Sequence, residues 1–280
     1  MSTAPTTWVD GRLVDDEPAL RAHDHGLTVG DGVFETCKVQ DGVPFALTRH
    51  LARLARSAEG LGLPAPDEDL VRSGVEAVLA DSHLSFGRLR ITMTGGPGPL
   101  GSDRGAAAPT YVVLAGPLPP PVPSAAVVVA PWTRNECSAV AGLKTTSYAE
   151  NVVALAFARE RGASEALLTN TRGELCEGTG SNVLVAVGGS LVTPPLSSGA
   201  LAGITRELLL EWAPTAGLAI EQRPVRLPEL AKADEVALLS STRDVQPVHS
   251  LDGRQLQAPG RLTAQAAEVF RRTAAVSIDP

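Results

Sequence analysis

Lysine is nearly missing from this sequence. Only three of its 24 basic residues are lysine (Lys38, Lys144 and Lys232), and arginine supplies the rest. Arginine can replace lysine as a surface cation. It cannot replace lysine as an amine that gives up its proton and forms a Schiff base. Cysteine is also scarce. Cys37, Cys137 and Cys176 are odd in number and scattered, which speaks against a disulfide framework or a cysteine metal site and for thiols in a reducing cytoplasm. No stretch approaches the run of about 18 apolar residues that a membrane span needs. The opening MSTAPTTWVDG has neither the basic nor the apolar region of a secretory signal. A basic surplus is missing too: the net charge of −7 disfavours a broad nucleic-acid-binding face, although a pocket can still be locally basic. These absences predict a cytoplasmic protein with no membrane, nucleic-acid or metal partner.

The chain has 280 residues and is 44% hydrophobic and 20% charged, enough for one large domain or two ordinary ones. Five prolines in AGPLPPPVPSAAV (115–127) exclude a helix or central strand there and predict an extended connector. The expected division is a domain over 1–116, a linker over 117–123 and a domain over 124–280. Before the linker, Asp-Gly pairs in TTWVDGRLV and FETCKVQDGVPFAL signal hairpins. LTRHLARLARSAEG reads as a helix with Thr48 as N-cap, and DEDLVRSGVEAVLADS as a second helix. FGRLRITMTGG and PTYVVLAGP read as strands. After the linker come a strand in AAVVVAPW and a helix over 147–161. Ser147 and Glu150 are expected to form its capping box, with Gly162 as its stop. Strands EALLTN, SNVLVAV and SLVTP follow, then helix ITRELLLEWAP, strand EVALLSST, a hairpin at VHSLDGRQL and a closing helix. Hairpins with helices predict an α+β class.

Several stretches could carry chemistry. Lys144 lies between small apolar residues and a helix start rich in hydroxyls, where an amine can lose its proton more readily. Glu177 lies in a Gly/Thr/Ser-rich stretch that is expected to be a turn before a strand, and a carboxylate there could hold a pyridine nitrogen protonated. GALAGITRELLLEW opens a helix at Ile204 and Thr205, a seat for phosphate. Ser241 and Thr242 at a strand end could complete a phosphate cup. Arg53, one helical turn beyond His50, offers a fork suited to a phosphate dianion. Each of these also has an ordinary structural reading as a surface lysine, a turn acid, a helix cap or a solvated arginine. Lys38 and Lys232 read as surface residues, with Lys38 the nearer to a possible pocket.

Six motifs, HDHGLTVGDGVFET, RHLARLARSA, LKTTSYAEN, ELCEGTGSNVLV, LAGITRE and SSTRDVQPV, occur in the order found in class IV, fold-type IV enzymes that use pyridoxal 5′-phosphate (PLP). These are the aminotransferases and 4-amino-4-deoxychorismate lyases, and the chain resembles them from the first hairpin to about residue 248. The resemblance implies a fold with a smaller α+β N-terminal domain, a larger β-rich C-terminal domain and PLP between them, usually in a homodimer. It implies that Lys144 forms the internal aldimine and moves the proton at the substrate carbon, and that Glu177 partners the pyridine nitrogen. It implies phosphate contacts from Arg53, Ile204, Thr205 and Thr242, with Ser241 alongside, and a contact from Tyr148 to the cofactor's phenolate oxygen. Phe34 stands where D-amino-acid enzymes of the family carry tyrosine, and TGGPGPLGSD lacks their arginine and histidine. F-E-T at 34–36 is more like the lyases. The expected activity is therefore the lyase reaction, pyruvate elimination giving 4-aminobenzoate. Aminotransfer from branched-chain L-amino acids, D-amino acids or amines is the alternative. Arg90 and Arg104 are the candidates for a substrate carboxylate.

Overall fold

Asp41 (φ 51°) and Gly42 (φ 77°) both take left-handed backbone, the pair of values that a two-residue hairpin turn needs. They join strands β3 (Gly32–Gln40) and β4 (Val43–Pro44). The Asp-Gly pair at 10–11 likewise joins β1 (Thr6–Val9) to β2 (Arg12–Val14). The computed structural model describes residues 4–15 and 17–280, and the chain divides into two units. One comprises the chain up to Pro120 together with Leu143–Tyr148 and Ile278–Pro280; the other comprises Pro121–Gly142 and Ala149–Ser277.

The first unit adds β5 (Phe86–Thr94) and β6 (Thr110–Pro117) to those four strands. They form an antiparallel sheet in the order β2-β1-β6-β5-β3-β4. A short helix α1 (His25–Thr28) precedes β3. Helices α2 (Leu47–Gly60) and α3 (Glu68–Ser82) cover one face of the sheet. Leu51, Leu54 and Ala58 from α2 and Val71, Val75 and Val78 from α3 meet Val33, Cys37 and Ile91 of the strands. Strand alternation sends Phe34, Thr36 and Lys38 to the other face.

Thr48 is not the N-cap of α2. That position falls to Ala46, in left-handed backbone (φ 57°) and with no side-chain cap. The cap comes instead from Asp279, whose carboxylate accepts from the backbone N–H (3.0 Å) and hydroxyl (2.6 Å) of Thr48. Asp67 caps α3 by accepting from Leu70 N–H.

The second unit is built on a mixed sheet. Its strands are β7 (Ala125–Arg134), β8 (Glu165–Asn170), β9 (Leu175–Gly178), β10 (Asn182–Val187), β11 (Ser190–Thr193), β12 (Ile220–Gln222), β13 (Glu235–Ser240), β14 (Asp244–Leu251) and β15 (Arg254–Gln255). The order is β12-β11-β10-β13-β14-β7-β8-β9, with β15 on β14. Helix α4 (Ala149–Glu160) packs Ala154 and Ala158 on Val128 and Leu168. Helices α5 (Ile204–Trp212) and α7 (Arg261–Ala274) pack on each other, and α6 (Leu227–Leu230) is one turn.

Ser147 does not cap α4, which starts at Ala149. Its hydroxyl donates to the Gly30 carbonyl at 2.9 Å instead. Lys232 lies beyond α6 and is exposed. Cys37 and Cys176 are buried and Cys137 is exposed, all as free thiols. Burial pushes the Cys176 thiol up to about 12. Among the described residues no helix is long and apolar enough to cross a membrane, and no cluster of side chains could hold a metal ion.

Candidate active site

Lys144 is fixed from both sides. Its N–H donates to Ser57 Oγ on α2 (3.2 Å), and its carbonyl accepts from Phe34 N–H on β3 (3.0 Å). Thr145 bridges Val33, and Thr146 N–H donates to the Gly32 carbonyl at 2.8 Å. The segment 143–148 therefore pairs with the start of β3, ahead of the stretch where β4 pairs. Leu143 packs where a side chain at Gly60 would sit.

The Lys144 side chain reaches the Phe34 ring, with Nζ 4.4 Å from its centroid, and lies 5.9 Å from the ring of Tyr148. Phe34 and Tyr148 meet edge to face at 5.2 Å. Arg90 stacks on the same Phe34 ring, with Cζ 3.8 Å from the centroid. The structure thus brings Phe34, Arg90, Lys144 and Tyr148 together around one aromatic ring.

Below this cluster lies a buried ionic group. Arg53 forks onto Glu35, with Nε 2.8 Å from Oε1 and Nη2 2.6 Å from Oε2, and His50 Nδ1 lies 2.7 Å from Oε2. Glu35 and His50 are fully buried and Arg53 is nearly so. Burial alone would raise the Glu35 pKa. The charge and hydrogen bonds of Arg53, with His50, outweigh it and hold the carboxyl well below the usual range. Burial lowers the pKa of His50, against the pull of Glu35. The neutral ring then carries its proton on Nδ1, because only a donor suits a carboxylate at that distance.

Arg104 is engaged by its own unit. Its Nε and Nη2 pair with Asp31, each at 2.6 Å, and Nη1 and Nη2 donate to the carbonyls of Gly62 and Leu61. It straps the 95–108 loop to the end of α2. Arg90, by contrast, stacks on the ring that Lys144 also reaches.

In the second unit Glu177 is a strand residue, not a turn residue. It pairs with Leu168 across β8 and β9. Its Oε2 accepts from Leu201 N–H at 2.9 Å, and Arg134 Nε lies 3.4 Å from its Oε1. Arg134 also pairs with Glu150 and donates to Asn151, and Asn151 holds the Thr179 carbonyl at 2.6 Å. Ile204 and Thr205 open α5. Its N-cap is Gly203, which gives no side-chain cap, and a Cβ there would collide with Asn182 Oδ1. Amides so placed form an anion seat. Ser241 and Thr242 sit half-buried in the turn between β13 and β14. A carboxylate acceptor, an uncapped helix start and hydroxyls at a strand end are the kinds of group that could hold a phosphorylated pyridine.

Residues 32–251 match the family described as amino-transferase class IV. The chain belongs to that family. It is similar to the bifunctional aminodeoxychorismate lyase / D-amino acid transaminase of Mycobacterium tuberculosis, 32% identical over 89% of this chain and 91% of the relative. A branched-chain aminotransferase from Thermoproteus uzoniensis, solved with norvaline, superimposes with a TM-score of 0.88 and 31% identity, covering 96% of this chain and 94% of the other. A hypothetical aminotransferase from M. tuberculosis in PLP-bound form gives 0.87 and 30%, covering 98% and 100%. This class IV enzyme has the fold-type IV architecture, α+β with an antiparallel N-terminal sheet and a mixed C-terminal sheet.

Glu35, Ser57, Arg134 and Leu201 were not singled out from the sequence. A signal existed for Glu35. Strand alternation places it on the same face as Val33 and Cys37, and a buried acid needs a partner. His50 and Arg53, one helical turn apart, supply it. No local pattern marks Ser57, Arg134 or the Leu201 amide.

Proposed function

We propose that this chain is a PLP-dependent aminotransferase acting on an amino acid, with Lys144 as the residue that holds the cofactor's aldehyde carbon. The placement of Lys144 beside Phe34, Tyr148 and Arg90 carries the reading, because an amine pinned by its backbone can act repeatedly at one substrate atom. When bound, PLP supplies an electron sink for the charge left on the substrate's α-carbon.

The chain's own residues do the rest. Lys144 Nζ takes the proton from the α-carbon and returns one. Arg90 binds the substrate carboxylate, which suits its fork. Phe34 and Tyr148 wall the amine and limit water around it. Glu177 would accept a hydrogen bond from the pyridine nitrogen and keep it protonated. Arg53 in the first unit and, in the second, the Ile204 and Thr205 region with Ser241 and Thr242 are each suited to phosphate and would be its ligands, and the Glu35 carboxylate fixes the plane of the Arg53 guanidinium. The three relatives described above all have aminotransfer in their names, and one adds the lyase reaction. Aminotransfer is therefore placed ahead of the lyase reading that F-E-T suggested, and the lyase reaction is the second reading.

The two separate in a single experiment. PLP-loaded protein is mixed with amino acids, including L-leucine, L-glutamate and D-alanine, without any oxo acid. An aminotransferase releases one equivalent of oxo acid per site and turns over only when a second oxo acid is added. Pyruvate and 4-aminobenzoate formed over many turnovers from aminodeoxychorismate, with no oxo acid from any amino acid, would establish the lyase instead.

A further inference from the structure

Arg134 ends β7, and its side chain joins that strand to α4 and β9 within the second unit. Nη1 pairs with Glu150 in the first turn of α4 (3.2 Å), and Nη2 donates to Asn151 Oδ1 (3.2 Å). Asn151 is buried and donates in turn to the Thr179 carbonyl. Nε is turned inward. It is buried, lies 3.4 Å from Glu177 Oε1, and has no hydrogen-bond partner among the described residues. A buried N–H without an acceptor is rare and destabilising, so its place beside a carboxylate needs a reason. The Glu177 side chain is only 12% exposed, and its other oxygen accepts from Leu201 N–H. Burial raises the pKa of a carboxyl, and a cation against it lowers it. The reach of both charges shows at Cys176, next to Glu177. Burial pushes that thiol up to about 12, Glu177 pushes it the same way, and Arg134 opposes them. The other carboxylates nearby are Glu150, which is half-exposed and shares Arg134, and Glu136, which binds Thr171 and Arg172.

We propose that Arg134 is a positioning residue that keeps Glu177 a carboxylate, so that the proton shared between Glu177 and the cofactor's pyridine nitrogen rests on the nitrogen. The proposal rests on the reading above, which gives Glu177 that partner. Without Arg134, a carboxylic acid facing a neutral pyridine would avoid separated charge in so buried a place. A ring without its proton is a weaker electron sink. Arg134 lies against the carboxylate itself, so it stabilises charge there more than it opposes charge on a ring beyond. The step it controls moves one proton between the nitrogen and a Glu177 oxygen and changes no other bond.

The test reads the place of that proton. The enzyme is loaded with PLP carrying nitrogen-15 in the ring, and the nitrogen resonance is recorded at neutral pH without substrate. Wild type is compared with Arg134→Met, Arg134→Gln and Arg134→Lys. The wild type should give the resonance of a protonated ring. Arg134→Met and Arg134→Gln should move it towards that of a neutral ring. The ratio of nitrogen-bound to glutamate-bound proton should fall about tenfold or more, since a cation beside a carboxylate lowers its pKa by about 1–3 pH units. Arg134→Lys keeps the charge and loses the fork, so it should stay near the wild-type position. A resonance unchanged in both neutral variants would overturn the proposal. So would a lysine variant that behaves like the neutral ones, or loss of bound PLP or of folding from both neutral variants, because each would assign Arg134 to holding the β9–β10 turn. A wild type that takes up no PLP, or whose ring is already neutral, would fail the earlier reading of Glu177 and this proposal with it, whereas the other outcomes leave that reading standing.

Discussion

Glu35 is the residue on which the interior of the first unit turns. It is fully buried, and it is tolerable there only because Arg53 and His50 satisfy it. Glu35→Leu removes the acceptor and leaves a buried guanidinium without its carboxylate, which should cost about 3–5 kcal/mol. The native pKa of Glu35 lies below its ordinary value of 4.5, and that of His50 lies below 6.5. In both cases the unfolded chain binds the proton more readily. The stability they contribute is therefore present at neutral pH and is lost as pH falls, from near 6.5 through His50 and further below 4.5 through Glu35. Denaturant melts of wild type and Glu35→Gln across pH 7 to 3 should show the wild type losing stability more steeply below 4.5. Parallel curves would mean that the group does not titrate differently on folding. Strand parity made the burial of Glu35 readable from the sequence. Its partners needed the fold, because no rule of spacing brings residue 35 to a helix 15 residues later.

Helix α2 carries His50, Arg53 and Ser57, yet its N-terminus lacks a local cap. The Ala46 methyl cannot accept a hydrogen bond, so Asp279 does the work, 231 residues from the Thr48 it caps. The Ala46 N–H donates to the Ile278 carbonyl, and Arg49 Nε donates to the Pro280 carbonyl. Asp279→Ala should cost about 1 kcal/mol, the usual value of a lost N-cap, and lower Tm by about 2–4 °C. An unchanged Tm in a calorimetric scan would show that the cap is dispensable. At this scale the sequence was informative wherever the signal is local. The Asp-Gly hairpins, the α2 and α3 periodicities and the stop at Gly162 (φ 72°) follow from backbone preference and burial. The Thr48 and Ser147 caps did not form because tertiary partners, Asp279 and the Gly30 carbonyl, took their hydrogen bonds. Strand β9 was read as a turn because LCEG is short and ends in glycine. Its extended form comes from pairing with β8.

Across the whole molecule, membership of the class IV family was legible because six ordered motifs run from α1 to β14. The reaction was not. Phe34-Glu35-Thr36 pointed to the lyase, whereas the relatives include aminotransferases and a bifunctional lyase and transaminase, and no single residue on β3 separates reactions that begin with the same proton transfer. Leu143–Tyr148 follows the proline-rich segment in sequence yet belongs with the first unit, because its hydrogen bonds run to β3 and α2. Such pairing at the edge of a strand leaves no trace in composition.

The same scarcity of lysine makes the central claim easy to test. Protein incubated with PLP is reduced with borohydride, digested and sequenced by mass spectrometry. The account predicts one phosphopyridoxyl group per chain, on the peptide carrying Lys144, and none in a Lys144→Ala variant that remains folded. A label on Lys38 or Lys232, or no label on protein that nevertheless converts amino acids to oxo acids, would contradict it.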